Sequence, residues 1–176
     1  MSGSPDTARA VIALATEAGL QLATAESLTA GAVVARLVDV PGASACVAGG
    51  AACYSYGAKH RVLGVDDAEL ERTGAVTAEV ARAMARGALS LYDADLAVST
   101  TGVAGPGADD RGVPAGTVHL AVAVRPGAER GAREPRIALE RELHLAGSRA
   151  GIREESVAVA LDLLRTELER MAQAPF

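Results

Sequence analysis

Ser27 stands where an apolar extended pattern changes to a helical one, a position that suits a catalytic nucleophile. Residues 20–25 predict a short strand, and a helical pattern begins a few residues after Ser27. Its hydroxyl is therefore expected at the carboxyl edge of a sheet, where it can attack a carbonyl carbon once a neighbouring base removes its proton. The alternative interpretation is that Ser27 only caps the helix that follows.

Lys59 is the only lysine in a chain whose 17 cationic residues are otherwise all arginine. An arginine keeps its proton at any ordinary pH, whereas burial can lower the pKa of a lysine from its reference value of about 10.4. A chain that uses arginine wherever it needs charge has retained one lysine, so Lys59 is a candidate general base. The alternative is a solvated lysine on a helix surface.

Tyr54 and Tyr56 are two of only four aromatic residues, and both precede Lys59 closely. Residues 45–56 predict an extended segment, which would place the two phenol rings on the same face of a strand. One ring then packs in the core, or a phenol relays a proton between Lys59 and a hydroxyl group.

Two segments offer backbone amides to an anionic ligand or to the oxyanion of an acyl-transfer intermediate. One is the predicted helix start after Ser27, and the other is the glycine-rich loop at residues 101–107. The loop matches neither the dinucleotide fingerprint nor the P-loop, and a tight structural turn is its alternative interpretation. The candidate binding residues are Thr29, Ala30 and Gly31 in the first segment and Gly102, Gly105 and Pro106 in the second.

The elements that position these residues predict an α/β fold, a three-layer α/β/α sandwich with a mixed, mostly parallel sheet. Residues 1–176 are expected to form one domain with a core at about 6–168, since no repeat or linker divides them. Residues 125–135 predict an exposed hairpin loop, and Val38 and Leu91 are expected on buried helix faces. The predicted strands are residues 20–25, 45–56, 95–101, 116–124 and 136–145, and the predicted helices are residues 5–18, 33–38, 59–63, 66–72, 78–91 and 148–171.

Composition excludes several classes of partner. The net charge is −5, the isoelectric point is about 5.2, and no stretch clusters Lys or Arg, so nucleic acid is not an expected partner. No apolar run reaches the roughly 18 residues that span a bilayer, and the N-terminus lacks the pattern of a signal peptide. We therefore expect no membrane partner and a cytoplasmic location.

The cysteines and histidines show no pattern typical of metal binding. Cys46 and Cys53 are expected to be buried, reduced thiols, because two cysteines form no disulfide framework. His60, His119 and His144 are scattered without the spacing of metal ligands. We therefore expect neither a metal nor a cofactor.

Several segments together resemble the CinA C-terminal domain family, in the order and spacing typical of that family. The resemblance covers about residues 6–168, so it does not depend on a single short motif. The segments that carry it are residues 24–31 (TAESLTAG), 40–45 (VPGASA), 54–59 (YSYGAK), 63–65 (LGV), 74–77 (GAVT), 101–107 (TGVAGPG) and 116–118 (GTV).

The resemblance implies hydrolysis of the carboxamide of nicotinamide mononucleotide, the reaction of the family's stand-alone amidases in pyridine-nucleotide (NAD) salvage. The family's Ser-Tyr-Lys catalytic set corresponds to Ser27, Tyr54 and Lys59. The implied partners are a small-molecule nucleotide substrate and, as a homo-oligomer, further copies of the chain. Arg149 is a candidate contact to the phosphate or to a helix start, the alternative being a solvated cation in the first turn of the last helix.

The chain departs from the usual family pattern at several positions, while Ser27, Tyr54 and Lys59 match it. Among these departures, those at Tyr56, Gly57 and Val113 favour an alternative function, a catalytically silent or regulatory domain that binds a nucleotide or a partner protein. A third possibility is an amidase for another small amide. The departing residues are Leu28 and Ala30, Tyr56 and Gly57 in place of an amide and a carboxylate, Val113 in place of a lysine, and Ser148 in place of an aspartate.

Overall fold

The computed structural model describes residues 5–125 and 134–173, in which five strands and six helices form. The strands are β1 (Leu22–Glu26), β2 (Val47–Ala52), β3 (Leu96–Gly102), β4 (Thr117–Val124) and β5 (Arg136–His144). The helices are α1 (Pro5–Ala18), α2 (Ala32–Val38), α3 (Tyr56–Leu63), α4 (Asp67–Thr73), α5 (Ala78–Tyr92) and α6 (Arg149–Gln173), with a short 3-10 helix at Ala43–Ala45. No helix in the described ranges is both long and apolar enough to cross a membrane.

The strands form one mixed sheet in the order β2-β1-β3-β4-β5. β1 pairs in parallel with both β2 and β3, whereas β4 is antiparallel to both β3 and β5. Four of the five strands therefore run in the same direction, which confirms the predicted mixed, mostly parallel sheet. The carboxyl ends of β1, β2 and β3 meet at one edge of the sheet, the usual place for a ligand site in α/β proteins.

The two faces of the sheet carry different side chains and are covered by different helices. In β4, Val118, Leu120 and Val122 face the cluster formed with α1, α2 and α6. The alternate residues Ala121 and Ala123 face the cluster formed with α3, α4 and α5. This alternation follows from the pleat of a strand, and it confirms the predicted α/β/α layers.

The segment before Lys59 is less extended than the sequence predicted. β2 ends at Ala52, and α3 already begins at Tyr56 because the Ser55 hydroxyl accepts a hydrogen bond of 3.2 Å from the N–H of Ala58. This N-cap turns the chain into a helix before the strand pattern is complete. The expectation that Tyr54 and Tyr56 share one face of a strand is therefore wrong.

Two further apolar residues lie elsewhere than expected. Val38 is 55% exposed and Leu91 is 45% exposed, because each lies in the last turn of its helix, beyond the packed face.

Cys46 and Cys53 are buried and not bonded to each other, as expected. The predicted hairpin loop falls mostly on residues 126–133, which lie outside the described residues.

Candidate active site

Ser27 follows β1 directly and lies at the carboxyl edge of the sheet. Its backbone N–H donates a hydrogen bond of 2.9 Å to the carbonyl oxygen of Thr100 in the neighbouring strand β3. Ser27 is only 8% exposed. The sheet therefore fixes the backbone of this serine while its side chain faces the space beyond the strand ends.

Lys59 approaches Ser27 from α3 and is completely buried. Its Nζ lies 3.0 Å from Ser27 Oγ, 2.8 Å from the carbonyl oxygen of Cys53 and 3.3 Å from that of Tyr54. A neutral amine at this position can donate to the two carbonyl groups and accept the hydrogen bond of the Ser27 hydroxyl. The geometry thus suits proton transfer from serine to lysine.

Burial lowers the pKa of Lys59 from 10.5 to about 8, while electrostatic interaction with Cys53 opposes this shift in part. The cause is desolvation, because an ammonium group loses favourable hydration inside the protein. The oxygen atoms around Nζ belong to a hydroxyl group and two carbonyl groups. A sizeable fraction of Lys59 is therefore neutral near pH 8 and able to act as a base.

Tyr54 lies at the rim of the site and is 60% exposed. Its hydroxyl oxygen accepts a hydrogen bond of 2.9 Å from Nη2 of Arg149, whose Nη1 donates to the carbonyl oxygen of Gly105 at 2.7 Å. The phenol is thus held by Arg149, while Lys59 bonds to Ser27 without an intermediate group. This arrangement favours direct proton transfer from Ser27 over relay through Tyr54.

A cavity of about 260 Å³ opens next to Ser27. Of the predicted binding residues, Gly102, Gly105, Pro106 and Arg149 line it together with Ser27, Tyr54 and Lys59. Gly102 is required for packing, because a Cβ there would lie 2.7 Å from the carbonyl oxygen of Thr117. The remaining lining residues are Thr101, Val103, Ala104 and Gly107 of the same glycine-rich loop, Ala75 and Val76 of the segment at 74–77, and Ala108 and Asp109, which the sequence did not single out.

The glycine-rich loop also presents free backbone donors beside the cavity. Among the described residues, the N–H groups of Ala104, Gly105 and Gly107 form no hydrogen bond within the protein. Such donors can bind a phosphate or an oxyanion. Binding of a phosphate or an oxyanion by this loop stays a prediction.

Thr29, Ala30 and Gly31 of the other predicted amide segment do not line this cavity, and the expectation of free amides at Ala30 and Gly31 is corrected. The N–H of Ala30 donates to the carbonyl oxygen of Ser27 (3.0 Å), and the N–H of Gly31 donates to the Glu26 carboxylate (2.9 Å). Thr29 is buried, and its hydroxyl lies 2.7 Å from that of Thr100. The bonded N–H groups of Ala30 and Gly31 stabilise the turn and are not open to an anion.

Glu26 explains this correction, and sequence reasoning missed it. Its fully buried carboxylate accepts hydrogen bonds from the N–H groups of Gly31, Val33 and Val34 at 2.9 to 3.0 Å, and from the Thr24 hydroxyl at 2.9 Å. A carboxylate at the start of a helix also interacts favourably with its dipole. The available signal was a lone acidic residue at the end of an otherwise uncharged strand.

The histidines do not approach one another as a metal site would require. Across the described ranges, no group of three or more His, Cys, Asp or Glu residues could hold a metal ion.

The protein is therefore of the three-layer α/β/α class, with a buried serine–lysine pair at the carboxyl edge of its sheet. A model of the CinA C-terminal domain matches residues 5–168, and the chain belongs to that family. The sequence resemblance is thereby confirmed.

Curated relatives are about three times as long as the matching region. The chain is 48% identical over 151 residues to a CinA-like protein of Mycolicibacterium vanbaalenii, a match that covers 86% of this chain and 34% of the relative. It is 44% identical over 157 residues to a CinA-like protein of Mycobacterium tuberculosis, covering 89% and 34%. The chain thus spans about a third of the length of these relatives.

Solved structures of similar size share the fold. The competence/damage inducible protein CihA of Agrobacterium tumefaciens matches with a TM-score of 0.84 at 36% identity, over 94% of each chain. A competence-damaged protein (CinA) superfamily protein of Klebsiella pneumoniae matches with a TM-score of 0.85 at 28% identity, over 94% of this chain and 98% of the other. These matches agree with the α/β architecture described above.

Proposed function

We propose that the protein is an amidohydrolase that converts nicotinamide mononucleotide to nicotinate mononucleotide and ammonia. The observation that carries the proposal is the 3.0 Å contact between Lys59 Nζ and Ser27 Oγ beside an open cavity. A buried lysine with a pKa of about 8 is the base that a serine nucleophile needs. The family resemblance supplies the substrate.

In the first half of the reaction, Ser27 Oγ attacks the carboxamide carbon while Lys59 Nζ takes the hydroxyl proton. The negative charge that develops on the amide oxygen is stabilised by loop N–H groups such as those of Gly105 and Gly107. The lysine ammonium then gives its proton to the amide nitrogen. The carbon–nitrogen bond breaks, ammonia leaves, and an ester to Ser27 remains.

In the second half, water attacks the ester carbon while Lys59, again neutral, takes a proton from the water. The bond to Ser27 Oγ breaks, the serine recovers its proton from Lys59, and nicotinate mononucleotide leaves. The net change is one amide and one water consumed, with one carboxylic acid and one ammonia formed. Both halves use the same base, which one buried lysine can supply.

Tyr54 and Arg149 complete the proposed site at the cavity rim. The Tyr54 hydroxyl accepts its hydrogen bond from Arg149, so its own O–H is free to donate to the bound amide. The guanidinium of Arg149 carries positive charge into the cavity lining and suits the phosphate of a mononucleotide. The two residues therefore orient the substrate rather than remove the serine proton.

Ammonia release tests the proposed function. Purified protein is offered nicotinamide mononucleotide and a panel of other small amides, with Ser27→Ala as the matched control. We expect release from nicotinamide mononucleotide by the wild type and none above background by the variant. Release from another amide alone identifies a different substrate. If the wild type and Ser27→Ala release ammonia at the same background rate from every amide, the catalytically silent, ligand-binding alternative is favoured.

The proposed assembly follows the same family resemblance, whereas the cytoplasmic location is the expectation from composition. We propose a homo-oligomer of this domain acting on a small nucleotide in the cytoplasm. Light scattering after size-exclusion chromatography measures the mass in solution. A mass equal to one chain of 17.8 kDa contradicts the proposed homo-oligomer.

A further inference from the structure

The side chain of Arg153 joins α6 to the turn that carries Ser27. Its Nε donates a hydrogen bond of 2.8 Å to the carbonyl oxygen of Leu28, and its Nη2 donates one of 3.0 Å to that of Thr29. These are the two residues that follow the nucleophile. We propose that Arg153 is a positioning residue that fixes this turn, and with it Ser27 Oγ, an inference that rests on the proposed function.

An arginine suits this task better than a lysine. The guanidinium group is planar and presents its N–H groups in a fixed fork, so two carbonyl groups bound to it cannot move independently. A lysine would supply the same charge as a single point without that fork. The guanidinium also keeps its charge while Lys59 gains and loses a proton, so the turn stays in place through the reaction.

The turn is held by side chains from two different elements. Glu26 binds the N–H groups of Gly31 and Val33 on the side of α2. Arg153 binds carbonyl groups on the side of α6. The backbone at Ser27 is therefore held by β3 before the turn and by two charged side chains after it.

The position of Arg153 predicts which kinetic constant it affects. Within the described part of the chain, the residues that line the cavity include Arg149 but not Arg153, which lies one helical turn further along α6. Loss of Arg153 should therefore change how Ser27 Oγ meets the reacting carbon and not how the substrate binds. We expect kcat to fall while KM stays unchanged, whereas a merely structural contact would lower stability alone.

The experiment measures the reactivity of Ser27 without relying on the natural substrate. A fluorophosphonate phosphonylates a reactive serine oxygen and releases fluoride, and mass spectrometry of the intact protein follows the labelling rate. Arg153→Ala is compared with wild type, with Arg153→Lys and with Arg165→Ala, a half-buried arginine three helical turns further along α6 that pairs with Asp162. Ser27→Ala identifies the labelled residue, and melting temperatures confirm that each variant is folded.

We expect Arg153→Ala to be labelled about 100-fold more slowly, the effect typical of a misplaced reacting group. Added guanidinium ion should restore part of the rate, Arg153→Lys should be intermediate, and Arg165→Ala should match wild type. Wild-type rates in folded Arg153→Ala overturn this inference alone. If that variant does not fold, wild-type rates in Arg153→Lys overturn it. Absence of labelling at Ser27 in the unaltered protein overturns the proposed nucleophile and this inference with it.

Discussion

Lys59 Nζ lies 3.0 Å from Ser27 Oγ although 32 residues separate the two in the chain. The contact forms because β1 and β2 are parallel neighbours, so the segments that follow them leave the sheet at the same edge. Ser27 follows β1 directly, and α3 begins four residues after β2 ends. Strand pairing thus brings the proposed nucleophile close to the proposed base, and substitution of their side chains tests the proposed chemistry.

Replacing Lys59 separates its basicity from its charge. Lys59→Arg keeps the cation but removes the titratable amine, whereas Lys59→Met keeps a similar length without charge. We expect both variants to lose about 10²- to 10⁴-fold in kcat on nicotinamide mononucleotide, the range typical of a general base. Circular dichroism should show the wild-type fold in each. Near wild-type activity in Lys59→Arg would demote the lysine to a structural cation.

The activity of the wild type should depend on the protonation state of Lys59. Only the neutral amine accepts the serine proton, so kcat/KM should rise with pH, reach half its maximum near pH 8 and level off above it. Measurements of ammonia release across this range check the prediction. The residual activity of Lys59→Met should lack this rise, and a flat wild-type profile contradicts the assignment of the base.

The same pKa predicts how stability changes with pH. The unfolded chain keeps the Lys59 proton up to about pH 10.4, whereas the folded protein releases it near pH 8. Between these values the unfolded state binds more protons, so stability rises as the pH rises. Urea unfolding measures the free energy of unfolding of the wild type and of Lys59→Met. The difference, wild type minus variant, should increase from about pH 8 to about pH 10. An unchanged difference rules out a lowered pKa.

Residue type and strand–helix order were enough to predict Ser27, Lys59 and the glycine-rich loop. Lys59 stands out because every other cation is an arginine, and the pattern of residues 116–124 predicted the strand that forms β4. These signals are local in sequence or depend on composition. Such signals predict which residues reach the edge of the sheet. The order of strands and helices along the chain also predicts the layers of the fold.

Contacts between distant segments were not predictable in the same way. Arg153 binds carbonyl groups 124 and 125 residues away, and nothing in the local pattern of α6 indicates those partners. The availability of the N–H groups at the start of α2 was misjudged for another reason. Its amides are bonded by Glu26, which belongs to the preceding strand rather than to the residue directly before the helix where N-caps are usually sought.

Glu26→Gln should destabilise the fold. A glutamine offers one acceptor oxygen and two N–H donors, so its amide nitrogen would face an N–H group of α2 or of Gly31. We expect a loss of about 1–3 kcal/mol in the free energy of unfolding, the cost of a buried group left without a partner. Urea unfolding measures it. Glu79→Gln, which changes a carboxylate whose side chain is 58% exposed, is the control and should stay within about 0.5 kcal/mol of wild type.

Arg149→Met tests the proposed phosphate contact by comparing two substrates. We expect KM for nicotinamide mononucleotide to rise about 10- to 100-fold, because a hydrogen bond to a charged group contributes about 1.5–3 kcal/mol. KM for nicotinamide riboside, which has no phosphate, should change little. Arg165→Met is the matched control on the same helix. An equal rise for both substrates would mean that Arg149 acts only through Tyr54 and Gly105, its partners in the free protein.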